Sequence, residues 1–126
     1  MKEIPPTDDA YKTTYQFIAH ETAHQWWGGI VAWRSYRDQW LSEGFAEYSG
    51  ILYTGTRDSK NSKEELLSDA RDSLRQPPVT TTGLGKGRLV DVGPITFGHR
   101  LNTTKTFGAY QALIYSKGAL VLRTLH

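Results

Sequence analysis

The chain is 126 residues long, 38% hydrophobic and 22% charged, the composition of one folded domain and not of a disordered or fibrous polypeptide. Its formal charge of +2, with basic residues scattered, gives no electrostatic argument for a nucleic-acid or anionic-membrane partner. Cysteine is absent, which excludes disulfides and thiolate ligands, and no apolar run approaches the roughly 20 residues of a membrane-spanning helix.

The opening MKEIPPTDDA lacks the apolar core of a signal peptide. Pro5 and Pro6 favour extended backbone, and Asp8 or Asp9 can cap a helix predicted over about 10–27. In that helix Phe17, His20, His24 and Trp27 fall at i, i+3, i+7 and i+10, one stripe, so the histidines are expected to share an inward face with large apolar groups. Gly28 and Gly29 stop it. A short aromatic and β-branched connection follows. A second helix is predicted over about 38–53, with Trp40, Leu41, Phe45, Tyr48 and Leu52 as its buried stripe.

Gly55 and a polar run make a loop. Ser62 and Glu65 have capping-box spacing ahead of a third helix, about 63–75, whose few apolar residues predict a surface position. Pro77 and Pro78 end it. The stretch 76–106 is rich in Thr, Gly and Pro and reads as irregular, with short strands expected in GRLVDVGPITFGHRL. A last helix, about 107–126, carries Leu113, Ala119, Leu120, Leu122 and Leu125, and reaches His126 with no stop signal. The class is mainly α, and the chain is expected to be a piece of a longer polypeptide.

The chemistry lies in AHETAHQWWGG, from Ala19 to Gly29. Residues i and i+4 of a helix lie one above the other, so His20 and His24 can hold one ion through two imidazole nitrogens. Glu21 is turned about 100° from His20 and borders that ion without being forced to ligate it. This is the spacing of the HExxH zinc helix, with the glutamate as general base. Two buried histidines satisfied by ordinary neighbours would read the same way. A catalytic zinc takes three protein ligands and a water, so one ligand is still to be found. Glu43, in WLSEGFAEY on the second helix, has 18 residues between His24 and itself. Two helices joined by a short connection pack side by side, and a carboxylate near the start of the second can face the histidines of the first. His20, His24 and Glu43 then make a site for one Zn2+.

Taken together, these segments resemble the gluzincin metallopeptidases of the aminopeptidase N and leukotriene hydrolase family. AHQWWG is similar to that family's AHQWFGN, and DQWLSEGFAEY to its DLWLNEGFASY. YSKG, Tyr115 to Gly118 and 72 residues past Glu43, resembles its Tyr-x-Lys-Gly helix. The resemblance implies the helical part of a thermolysin-like zincin catalytic domain, acting on peptide substrates as an aminopeptidase. It implies zinc held by His20, His24 and Glu43, Glu21 as general base, and Tyr115 as donor to the oxyanion. Tyr110 would be a neighbouring aromatic of structural role. Lys117 can be a solvated surface charge. His99 and His126, without partners at ligand spacing, read as structural or exposed.

Two departures qualify the resemblance. The family's Gly-x-Met-Glu-Asn segment, whose glutamate grips the substrate's free amine, does not occur in the nineteen residues before His20, and the backing β-sheet is expected to be largely absent from this chain. An acidic residue that many members carry seven positions past the ligand glutamate is Gly50 here. Glu47 or Asp38 could take its part, or Glu47 could be a solvated charge. The alternative function is a zinc-stabilised structural or interaction module without catalysis. The isolated stretch is expected to hydrolyse feebly or not at all, and to self-associate through exposed apolar surface.

Overall fold

The computed structural model describes residues 9–57, 62–80, 82–101, 103 and 108–126. The expectations for Pro5, Pro6 and Asp8, for the loop at 58–61 and for the start of the last helix at 107 lie outside the described residues. The helices are α1 (Asp9–Ala23), α2 (Gln39–Arg57), α3 (Ser62–Arg75) and α4 (Gly118–Leu125), the last entered through a π-helical turn, Gln111–Lys117.

α2 is the central element, with α1, α3, α4 and the π turn packed around it. That position explains its burial. The sequence predicts an apolar stripe, yet Leu41 is exposed, and the residues that disappear include Ser42, Gly44, Ala46, Gly50 and Thr54 beside Tyr48 and Ile51. Small side chains are what a helix enclosed on several sides can afford, because neighbouring backbones come close. A Cβ on Gly44 would lie 3.1 Å from the Gly118 Cα, and one on Gly50 would lie 2.7 Å from the Gln16 carbonyl.

Two apolar clusters hold the helices. Leu74, Leu89, Leu101, Ala109, Ala112, Leu113 and Ile114 form one, between α3, the π turn and the irregular stretch. Tyr48, Ile51, Leu67, Ala119 and Leu122 form the other, between α2, α3 and α4. Leu113, Ile114 and Ile51 are almost completely buried, each stabilising the fold by roughly 2 kcal/mol. α3 is thus less superficial than expected, since Leu67 and Leu74 each enter a cluster.

Three local corrections follow from hydrogen bonding. α1 ends at Ala23, short of the expected Trp27, because Gln25 and Trp26 donate to Thr22 and Ala23 carbonyls in tight three-residue turns. The chain then reverses at Gly28, whose φ of 104° only glycine adopts readily and where a Cβ would lie 2.5 Å from Ser42 Oγ. In the second correction, residues 87–101 form no strand. Their apolar residues pack from two 3-10 turns, Leu89–Asp91 and Ile95–Leu101, the latter kinked at Gly98. The only strands among the described residues are β1 (Val79–Thr80) and β2 (Gly83–Leu84), an antiparallel pair in the register Val79 to Leu84. The third concerns α2, which runs on to Arg57, past the predicted end at 53.

Candidate metal centre

His20 and His24 stand at the C-terminal end of α1, facing the first turns of α2. His20 is 5% exposed and His24 half-buried. Phe17, expected to share an apolar face with them, is 62% exposed. The histidines therefore look into a cleft of about 530 Å3, lined also by Phe17, Glu21, Glu43, Glu47 and Tyr115.

Three donor atoms converge there. The two Nε2 atoms are 3.1 Å apart, and Glu43 Oε2 lies 3.4 Å from His20 Nε2 and 3.2 Å from His24 Nε2. Donors of a tetrahedral zinc about 2.0–2.1 Å from the ion are about 3.3 Å from one another. The triangle already has the dimensions of one face of that tetrahedron. Among the described residues this is the one group of His, Asp and Glu with metal-site spacing.

The opposite ring atoms fix what the converging atoms are. His24 Nδ1 is 2.8 Å from the Trp27 carbonyl, which can only accept, so Nδ1 carries the hydrogen. His20 Nδ1 is likewise 2.8 Å from Glu47 Oε2. In the neutral rings both Nε2 lone pairs then point toward Glu43 Oε2, itself buried and without a well-aligned hydrogen bond. Three electron-rich atoms turned on one point repel one another unless a proton or a metal ion lies between them. The donor set, two imidazoles and a carboxylate, suits zinc.

Without a metal, a proton fills part of that role. Burial works to lower the pKa of His20, but hydrogen bonds and charge from Glu43 and Glu47 outweigh it and carry it to about 9. Burial likewise opposes ionisation of Glu43, and His20, His24 and Tyr115 together hold its carboxyl below the usual range. The Tyr115 phenol moves upward, from burial first and then from the Glu43 carboxylate beside it.

Other residues singled out in the sequence are distributed as follows. Glu21 is exposed on the rim of the cleft. Tyr115 comes from the π turn, its ring parallel to that of His20. Tyr110 meets it edge-on, centroids 5.9 Å apart. Tyr110 is also held by Gln39, whose Nε2 lies 2.8 Å from both its hydroxyl and His99 Nε2. His99 is exposed and stacks on Tyr110, and His126 reaches the Tyr48 hydroxyl at 2.8 Å. Asp38 accepts from Ser35 Oγ, whereas Glu47 is the carboxylate at the His20 ring. The sequence reading missed Gln16, whose amide donates to Glu47, and Gln111 in the cleft wall. Gln16 lies one turn before His20, the only signal that could have marked it.

Comparison with known proteins bears on this geometry. A family model described as the peptidase family M1 domain matches residues 4–126. Aminopeptidase Ey of Gallus gallus is 36% identical over 110 residues, covering 86% of this chain and 10% of the relative. Aminopeptidase N of Homo sapiens is 34% identical over 110 residues, with 86% and 10% covered. Glutamyl aminopeptidase of Bos taurus is 32% identical over 117 residues, again with 86% and 10% covered. The chain thus spans about a tenth of the length of these curated relatives. No solved structure gives a significant match.

Proposed function

The chain belongs to peptidase family M1, as a mainly α-helical stretch of that family's domain, and on that premise we propose that it carries the zinc centre of a peptide-hydrolysing enzyme. His20, His24 and Glu43 hold one zinc ion. The observation that carries this reading is the triangle of 3.1, 3.2 and 3.4 Å edges between two imidazole nitrogens and a buried, otherwise unbonded carboxylate oxygen. Zinc bound there supplies Lewis acidity, lowering the pKa of water toward about 7 and polarising a carbonyl.

The remaining steps belong to side chains. Glu21, on the rim of the same cleft, accepts the proton of the attacking water and returns it to the leaving amine. Its exposure suits a group that must exchange protons with both. Tyr115 donates its hydroxyl to the developing oxyanion. Burial and the Glu43 charge keep that phenol protonated well above neutral pH, as a donor requires. A donor of this kind contributes about 3 kcal/mol to the transition state. The substrates are peptides, and removal of the N-terminal residue is the reading the relatives' aminopeptidase names favour.

The test is metal analysis of the full-length protein with hydrolysis of an aminoacyl amide. One zinc per chain, lost in a His24→Ala variant together with turnover, is expected. Stoichiometric zinc without turnover points instead to a non-catalytic zinc-stabilised module. No zinc at all overturns both.

A further inference from the structure

We infer that Glu47 is the positioning residue that orients His20 toward the metal, an inference that rests on the zinc-centre reading above. Glu43 and Glu47 are one turn apart on α2, as His20 in the last turn of α1 and His24 just past its end are one turn apart. The two pairs meet face to face. Glu43 is opposite both Nε2 atoms, and Glu47 takes the far side of the His20 ring, its Oε2 2.8 Å from Nδ1.

Three observations separate this from a solvated surface charge. The Glu47 side chain is 19% exposed, against 59% and 54% for Glu64 and Glu65 on α3. Both of its oxygens are engaged, Oε2 by His20 and Oε1 by the Gln16 amide. No other carboxylate among the described residues bonds an imidazole Nδ1. Asp38 is held by Ser35, and Glu43 lies on the Nε2 side.

Gly50 accounts for the location. The α1 backbone lies directly against it, a Cβ there falling 2.7 Å from the Gln16 carbonyl and 3.4 Å from the His20 amide nitrogen. That contact leaves position 50 no room for a side chain at the present helix separation. It brings α1 near enough for a carboxylate one turn past Glu43 to reach the His20 ring. Gln16 then ties the second oxygen of Glu47 back to α1. The chain Gln16, Glu47, His20 fixes the tautomer and the plane of the ring, which raises ligand basicity and removes rotational freedom that binding would otherwise have to quench.

The experiment measures zinc affinity by competition with a chromophoric chelator, and the d–d spectrum after cobalt substitution. The variants are Glu47→Ala, Glu47→Gln, Gln16→Ala, His20→Ala, and Glu64→Ala as a surface control, with circular dichroism to follow folding. Glu47→Ala is expected to weaken zinc on the order of 10–100-fold and to shift the cobalt bands. Glu47→Gln, which keeps an acceptor oxygen in the same place, is expected to recover most of that loss, Gln16→Ala to cost a few-fold, and Glu64→Ala nothing. Zinc affinity and cobalt bands unchanged in Glu47→Ala, while His20→Ala abolishes binding, overturn the inference and leave the zinc centre standing. If Glu47→Ala does not fold, Glu47→Met, which fills the space without an acceptor oxygen, takes its place, and unchanged affinity and spectrum there overturn the inference equally. Absence of zinc from the unmodified protein overturns the centre itself and this inference with it.

Discussion

The rings of Tyr115 and His20 lie parallel, 8° between their planes and 5.5 Å between centroids. The contact holds the tyrosine by its ring, so removing the hydroxyl leaves its position intact. Tyr115→Phe in the full-length enzyme is therefore expected to retain zinc and KM while kcat falls about a hundredfold or more. Steady-state kinetics on an aminoacyl amide with metal analysis check this. An undiminished kcat would remove Tyr115 from the chemistry.

Glu21→Gln separates base from ligand. Glu21 is not one of the three converging donors, and the amide cannot take a proton from water. Zinc content is expected to stay at one per chain while turnover falls about 10²–10⁴-fold. Loss of the metal in this variant would mean that Glu21 holds the ion and does not act as the base.

How much of this was legible in the sequence depends on distance along the chain. The i, i+4 spacing of His20 and His24 is a helix property and survives whatever surrounds it. Glu43 was reachable from the short connection that sets two helices side by side, but Tyr115 only through motif resemblance, since no local rule says how the π turn docks. The π register itself left no periodic mark. It puts Tyr110 and Tyr115, five residues apart, in edge contact, which an α-helix would set about 140° apart. The strands expected near Val90 and Ile95 failed for a related reason. Those residues pack singly from 3-10 turns against the core, and a run of apolar letters does not distinguish the two arrangements.

Acid–base linkage gives a prediction for the metal-free chain. His20 is raised in the folded state to about 9 from its ordinary 6.5. Its contribution to stability is therefore complete below pH 6.5 and lost as pH rises through 9. Glu43 is depressed, so its contribution is present above the ordinary carboxylate range and lost as pH falls through its folded pKa. Metal-free stability is expected to peak between these limits, by urea denaturation at a series of pH values. Zinc must displace the His20 proton, so its affinity should rise with pH by about tenfold per unit up to about 9 and then level. A flat affinity from pH 6 to 9 would contradict the assignment.

Gly50→Ala sets two effects of opposite sign against each other. In a helix interior alanine is favoured over glycine by roughly 0.8–1.0 kcal/mol. Here the added methyl would sit 2.7 Å from a backbone oxygen of α1, and backbone cannot swing aside. Overpacking of that kind costs about 1–3 kcal/mol, so net destabilisation is expected. The relaxation open to the chain is to part α1 from α2, which separates His20 from Glu43. Zinc affinity should fall along with the denaturation midpoint. A variant more stable than the parent would show that the helices are not held at this separation.

The turn after α1 carries the most exposed apolar surface near the site. Trp26, Ile30, Val31 and Trp33 are 55%, 75%, 57% and 43% exposed, and Leu41 at the start of α2 is 38% exposed. Scattered apolar residues on a surface are ordinary, but four within eight consecutive positions concentrate apolar surface that water disfavours. The chain in isolation is expected to self-associate through it, with light-scattering mass rising with concentration. The double substitution Ile30→Lys, Val31→Lys changes two solvent-facing side chains and should restore the mass of one chain. Zinc content should be unaffected, because the His24 Nδ1 bond is to the Trp27 carbonyl, which the substitutions leave in place. The parent chain remaining monomeric at high concentration would show that this patch drives no association.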